Sequence, residues 1–191
     1  MLNKIRIAVA GQSYPAKNPE LPHSAILIPV TDSKKMPELV LTKRSDLLSR
    51  HAGEVCFPGG KWEEGDPSLE YTALREAEEE VALPRSSVEI LGQIPSVVSR
   101  SGLNVMAYVG IIDSEVELRP NPGELDSVFK VPLEYFLEGK NIQAYSIQYN
   151  GGAITTPSYR YNGNVIWGLT AYMILDLMNR AFDAKLSFTV K

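Results

Sequence analysis

Phe57-Pro58-Gly59-Gly60-Lys61-Trp62-Glu63-Glu64-Gly65-Asp66-Pro67-Ser68-Leu69-Glu70-Tyr71-Thr72-Ala73-Leu74-Arg75-Glu76-Ala77-Glu78-Glu79-Glu80-Val81 carries the strongest local signals in the chain and its least ordinary electrostatics. The short apolar run Val55 to Phe57 predicts a strand. The Gly-rich turn after it lets backbone groups come close to a metal or a phosphate. A helix is then predicted over about Pro67 to Leu83: Asp66 suits the N-cap, Pro67 the first helical position, and Pro84 stops continuation. Eight acidic side chains fall between Glu63 and Glu80, opposed by Arg75 alone. Like charges at i,i+4 repel, so this pattern needs a reason. At about 100° per residue, Glu76, Glu79 and Glu80 share one arc of the helix, beside an apolar arc of Ala73, Leu74, Ala77 and Val81. Glu78 points away, toward solvent. Three clustered carboxylates are hard oxygen ligands suited to Mg²⁺ or Mn²⁺. A solvated acidic face accounts for the charges equally well when the helix is taken alone. Strand, Gly-Gly loop and capped helix together are a more specific arrangement than a charge run.

Around this stretch, apolar β-branched runs bounded by turn residues predict strands at Ile5 to Val9, Ala25 to Val30, Leu39 to Thr42, Val88 to Ile94 and Asn104 to Ile112. Ile142 to Tyr149 and Ile154 to Tyr161 flank Asn150-Gly151-Gly152, a spacing that predicts a hairpin. A second long helix is expected at about Trp167 to Phe182, and a short one near Leu133 to Leu137. Strands mixed with a few helices, without regular βαβ alternation, predict an α/β (α+β) fold with a mixed sheet flanked by helices. The 191 residues are expected to form one domain, 1–191, with 44% hydrophobic content. One cysteine rules out an intrachain disulfide and a Cys-rich zinc site. The N-terminal stretch lacks the pattern of a signal peptide, and the most apolar run, Val165 to Leu175, is shorter than the roughly 20 residues a bilayer requires. The expectation is a cytoplasmic protein with no membrane partner. A net charge of −4 argues against general affinity for nucleic acid.

Gly60 through Leu83 resembles the Nudix box: G, five residues, E, seven residues, then R-E-U-x-E-E-x-G-U with U apolar. Arg75, Glu76, Ala77, Glu79, Glu80 and Leu83 match in register. Three positions depart. The Gly60-to-Arg75 spacing is one residue longer, Asp66 is the nearest equivalent of the first Glu, and Ala82 stands where the box has Gly. Upstream, Leu41-Thr42-Lys43-Arg44-Ser45 and His51-Ala52-Gly53 lead into Phe57-Pro58-Gly59-Gly60. This resembles the extra signature of the coenzyme A pyrophosphatase branch, with Ser49 in place of its second Arg and Arg50 beside it. Asn121 to Leu125, Phe129 to Leu133 and Ile166 to Ala171 are also similar to that branch.

The resemblance implies a Nudix α/β/α sandwich. It implies hydrolysis of the pyrophosphate of coenzyme A or acyl-CoA, giving 4′-phosphopantetheine or its acylated form and adenosine 3′,5′-bisphosphate. On this reading Glu76, Glu79, Glu80 and the Gly60 carbonyl hold Mg²⁺ or Mn²⁺. Such ions neutralise phosphate charge and activate water. Glu124 is the first candidate for the base and Glu79 the second; an ordinary exposed loop acid is the plain alternative for Glu124. Arg75 is expected to fix a glutamate by ion pairing rather than touch substrate. Arg44, Arg50 and Lys61 are candidates for phosphate contacts, each weighed against a solvated surface charge, and Gly59 and His51 complete the substrate-binding set. Cys56, Trp167 and Tyr172 read as packing residues. No Gly-x-Ser-x-Gly elbow is present. A Nudix hydrolase of ADP-ribose or NADH, and a non-catalytic Nudix-fold binding module, are the alternatives. A homodimer is left open.

The net charge separates into parts. Glu63 to Glu80 carries −7, while Lys34 to Lys61 carries +3. A basic segment followed by a metal-binding one suits a metal-bridged anionic small molecule.

Overall fold

The computed structural model describes residues 1–149 and 152–188. Helix α1 (Leu2–Val9) leads into β1 (His23–Thr31), β2 (Glu38–Arg44), β3 (Val55–Cys56) and β4 (Gly59–Lys61). Helix α2 (Leu69–Val81) follows, then β5 (Glu89–Val98), β6 (Asn104–Ile112), β7 (Leu125–Pro132) and α3 (Leu133–Leu137). The hairpin β8 (Gln143–Tyr149) and β9 (Gly152–Tyr161), then β10 (Asn164–Trp167) and α4 (Gly168–Phe182), complete the order.

The principal sheet is mixed. Its path is β3-β2-β1-β6-β5, with β4 also paired to β1 and β7 to β2. The β1–β6 pair is parallel, from His23 opposite Asn104 to Thr31 opposite Ile112, and the other pairs are antiparallel. Side chains alternate across it, as the period of a strand requires. Ala25, Leu27, Val40, Met106 and Tyr108 face Ala73, Ala77 and Val81 of α2. Ile28, Val30, Leu39, Leu41, Ala107 and Val109 face the other way, with α1 and α4. Every residue of β6 is buried, as befits a central strand covered on both faces. The result is the expected layering of helix, mixed sheet and helix. A second, three-stranded antiparallel sheet, β10-β9-β8, stands beside α4. No helix among the described residues is long and apolar enough to cross a membrane.

Ile5 to Val9, expected as a strand, lies in α1. Ile5 and Val9 are buried one helical turn apart while Ile7 is 81% exposed, so the helical period decides the segment. The Gly-Gly stretch is not a free turn: Gly59–Lys61 is itself a short strand, with Gly60 opposite Ala25. Strands β4, β7 and β10 were not expected. The expected hairpin forms as β8–β9, with Tyr149 opposite Gly152, so that Gly152 begins the second strand; residues 150 and 151 lie outside the described residues.

Candidate active site

Helix α2 is capped by Ser68, not by Asp66. Ser68 has extended backbone and its Oγ accepts the Tyr71 N–H at 3.1 Å. Asp66 does a different job. Its carboxylate receives the Arg75 fork, Nε on Oδ1 at 3.0 Å and Nη2 on Oδ2 at 3.1 Å, and also accepts the Thr72 hydroxyl at 2.8 Å and the Glu63 N–H at 3.2 Å. The Arg75 hydrogen bonds, aided by Thr72 and Glu63, hold the Asp66 carboxyl below the usual range. Arg75 also donates from Nη2 to the Lys61 carbonyl at 3.2 Å. Its Nη1 stands 3.0 Å from Glu76 Oε1 and 3.1 Å from Glu79 Oε2. One guanidinium thus ties the loop before the helix to β4 and to two of the three glutamates.

Glu80 points inward and is 3% exposed. Its Oε2 accepts the Gly59 N–H at 3.1 Å, and its Oε1 lies 3.7 Å from Arg44 Nη1. Burial, together with the charges of Glu76 and Glu124, pushes its carboxyl up to about 7, against the Gly59 hydrogen bond and Arg44. Burial also raises Glu76, with Glu79 and Glu124 adding to it and Arg75 opposing. Gly60 makes room for Glu76: a Cβ at Gly60 would lie 2.3 Å from the Glu76 carboxylate. The Arg44 Nε is buried without a hydrogen-bond partner.

Glu124 comes from the loop before β7. The Asn121 N–H donates to the Glu80 carbonyl at 2.8 Å, the Glu124 N–H to the Asn121 carbonyl at 3.0 Å, and the Ser45 N–H to the Glu124 carbonyl at 2.8 Å. The side chain is exposed, and its charge reaches both Glu76 and Glu80. At the helix end, Ala82 takes φ +55°, the left-handed region that glycine enters freely and that costs another residue about 1 kcal/mol or more.

Glu76, Glu79, Glu80, Gly59, Gly60, Arg75, Arg44 and Glu124 are therefore neighbours in space. The Lys61 side chain and Arg50 are exposed and make no ion pair among the described residues. His51, exposed, pairs through Nδ1 with Glu54 at 2.8 Å. Glu78 is not merely solvated: it pairs with Arg85 Nε at 2.6 Å. Trp167 and Tyr172 are not core residues. Both line an open cavity of about 560 Å³ beside β3 and α4, which the sequence did not reveal. The Arg44–Glu80 contact was also missed, since nothing in the local pattern of either segment signals it.

As the side chains stand, no three acidic or imidazole groups among the described residues converge to hold a metal ion. Glu79 is turned to Arg75, but its side chain is 58% exposed and has room to turn. The donor chemistry nevertheless fits a hard divalent cation: carboxylate oxygens crowd one helix turn, and the buried Glu80 is faced by Arg44 at 3.7 Å on one oxygen and by the Gly59 N–H on the other.

The NUDIX domain profile matches residues 21–149, a span that holds the acidic helix, Gly59-Gly60 and Glu124. The chain is 42% identical over 154 residues to an uncharacterized Nudix hydrolase, NudL, of Yersinia enterocolitica, covering 80% of this chain and 77% of that protein. The chain therefore belongs to the Nudix hydrolase family. Members act on nucleoside diphosphate derivatives and generally need divalent metal ions. Among solved structures, a MutT/nudix family protein from Enterococcus faecalis is similar with a TM-score of 0.58 at 16% identity, covering 91% of this chain and 66% of that one. The NUDIX domain of Shewanella oneidensis NrtR, solved with ADP-ribose, gives a TM-score of 0.50 at 22% identity, covering 67% of this chain and 83% of that one.

Proposed function

We propose that this hydrolase cleaves the pyrophosphate of coenzyme A or acyl-CoA with Mg²⁺ or Mn²⁺. The observation that carries the reading is the joining of two motifs. Arg44, from the stretch that resembles the coenzyme A branch signature, stands 3.7 Å from Glu80 of the box. Gly59 and Gly60, which end that signature, contact Glu80 and Glu76. These contacts support reading the signature and the box as parts of one site.

The ion, held by Glu76, Glu79, Glu80 and the Gly60 carbonyl, supplies charge neutralisation at the phosphates and a more acidic water. Arg75 acts on other protein groups: with Asp66 and the Lys61 carbonyl as its anchor, it sets where Glu76 and Glu79 stand. Glu124 is the base, held at the rim by Asn121 and Ser45, and Glu79 is the second candidate. Arg44, Arg50 and Lys61 supply positive charge for phosphate oxygens, and Gly59 and His51 complete the substrate-binding set.

A second reading, hydrolysis of ADP-ribose or NADH, is favoured by Ser49 at the position of the signature's second Arg. The test is hydrolysis of coenzyme A beside ADP-ribose and NADH with each metal, with products identified by mass. Coenzyme A should have the largest kcat/KM, yielding 4′-phosphopantetheine. A preference for ADP-ribose would overturn the reading. Loss of turnover in Glu80→Gln separates an enzyme from a binding module.

A further inference from the structure

A strand at the margin of a sheet presents a row of N–H and C=O groups that another strand can complete, and proteins guard such margins. Most margins of this fold are guarded. Strands β1, β2, β6 and β9 have neighbours on both sides. The open side of β5 is covered by the segment after α1: the Gly11 N–H donates to the Leu91 carbonyl at 3.1 Å, the Gln93 N–H to the Gln12 carbonyl at 2.9 Å, and the Tyr14 N–H to Gln93 Oε1 at 2.8 Å. Strand β7 carries Asp126 and Lys130 and ends in Pro132. Strands β3, β4 and β10 have two, three and four residues, too short to template a partner.

Strand β8 has none of these guards. It is outermost in the three-stranded sheet and seven residues long, about 23 Å. Gln143-Ala144-Tyr145-Ser146-Ile147-Gln148-Tyr149 contains no charge, no proline and no glycine. Among the described residues its backbone hydrogen bonds run to β9, joined by the Ser158 hydroxyl, also of β9, which donates to the Gln143 carbonyl at 3.2 Å. Gln143, Ala144, Ser146 and Gln148 are exposed. The neighbouring β9 adds one charge, Arg160, and the charges that precede β8, Glu138 and Lys140, are paired with each other at 2.8 Å. This margin offers no charge to repel another uncharged strand, and its composition is that of segments that pair readily.

The occupant it suits is a second copy of the same strand. A two-fold axis perpendicular to the sheet brings a strand against itself in the antiparallel sense, and the pleat then lets only residues of like parity oppose each other. With the axis at Ser146 all seven residues are engaged, while an axis at Tyr145 or Ile147 leaves two of them out. At Ser146 the axis also sets Tyr145 of each copy opposite Ile147 of the other, an aromatic and β-branched pair made twice. A charged peptide would find no opposite charge on β8.

We infer that β8 is the interface of a homodimer: two copies join β8 to β8 about Ser146, and their three-stranded sheets become one sheet of six strands.

The test is sedimentation velocity of the full chain between about 1 and about 200 µM. The mass should rise with concentration from the 21.1 kDa of one chain toward twice that value. Ser146→Lys sets two ammonium groups against each other at the axis, and Ser146→Asp two carboxylates, so each variant alone should remain monomeric. An equal mixture of the two should dimerise at least as well as the parent, because opposite charges then meet. Ser146 is exposed and its side chain shares a hydrogen bond with Thr155 at 3.0 Å, so both variants should melt near the parent temperature. Amide exchange of the parent is a second readout that needs no variant: β8 should exchange more slowly at high concentration than at low. A parent that stays a single chain throughout, a dimer that both variants retain, or species larger than two chains would overturn the inference. A dimer lost in both variants and not restored by mixing them, or exchange slowed in α1 or α4 instead of β8, would overturn it as well.

Discussion

Adding one methyl group at each of the two adjacent glycines should produce opposite failures. At Gly60 the added carbon would sit 2.3 Å from the Glu76 carboxylate, the far end of a flexible side chain. Backbone φ at this position is not in the left-handed region, so alanine is conformationally allowed. Ordinary contact begins near 3.4 Å, so Glu76 must retreat by about 1.1 Å. Misplacing a group of the reacting site by roughly 1 Å costs on the order of 100-fold, equivalent to about 2.7 kcal/mol of transition-state stabilisation. Stability should change by less than about 1 kcal/mol. At Gly59 the same carbon would lie 2.4 Å from the Ala25 carbonyl oxygen and 2.6 Å from the Ile26 Cα, at φ +155°. Those are backbone atoms of the central strand and cannot move aside, so Gly59→Ala should cost several kcal/mol and lower Tm by 10 °C or so or more. The assays are thermal melting by circular dichroism, Mn²⁺ titration by calorimetry, and kcat/KM. Gly60→Ala should melt near the parent temperature with weakened Mn²⁺ binding and activity down about 100-fold. If Gly60→Ala keeps both, or melts as early as Gly59→Ala, the placement of Glu76 against Gly60 is wrong.

The remaining expectations concern charge. Glu80 has its carboxyl raised to about 7 by burial, so its ionisation opposes folding, and that penalty grows as pH rises from about 4.3 to 7. In chelator at pH 8, Glu80→Gln should be more stable than the parent by on the order of 2 kcal/mol while losing turnover. Equal or lower stability would contradict the burial argument. The parent's rate should peak above neutral pH, and a peak below pH 6 would count against a carboxylate-rich metal site. Asp66 is held below its ordinary range by Arg75, so its contribution is complete above about pH 4 and disappears as pH falls through the lowered value. The Tm gap between the parent and Asp66→Asn should therefore be open at pH 6 and narrow progressively below pH 4; a gap independent of pH would refute the ion-pair account. Glu124→Gln should lower kcat by 100-fold or so or more with Mn²⁺ binding nearly intact, whereas a parallel loss of both would make Glu124 a ligand rather than a base. Burial pushes the Cys56 thiol up to about 11, so iodoacetamide at pH 7.5 should label native protein far more slowly than protein in urea; equal rates would overturn that environment.

The core strands were legible because β-branched runs bounded by turns coincide with central strands, as at Asn104–Ile112. Ile5 to Val9 misled because five apolar-rich residues satisfy either period, and the choice of helix came from contacts with α4 and β5. Strand β7 was invisible because Asp126 and Lys130 break its apolar pattern while its pairing to β2 supplies the order. Within the site, the spacing of Glu76, Glu79 and Glu80 on α2 was readable from helical geometry alone. The capping choice was not: Asp66 and Ser68 are both good caps, and the Arg75 fork settles which one is spent elsewhere. Long-range pairs such as Arg44 with Glu80 depend on strand placement and leave no local trace. The same holds for the cavity, whose walls come from segments far apart in the chain.

The strap from Asn121 to Glu124 has a mechanical consequence. It is fastened at one end to the carbonyl of Glu80 and at the other to the N–H of Ser45, next to Arg44. The residue that buries its carboxylate is thus also the hitching point for the loop that carries Glu124. A tilt of the last turn of α2 therefore cannot occur alone. It drags the loop, and the loop pulls on the end of β2 where Arg44 sits. The three sides of the site behave as one linkage, so a strain introduced at Ala82 or Asn121, remote from any phosphate, is delivered to Glu80, Glu124 and Arg44 together.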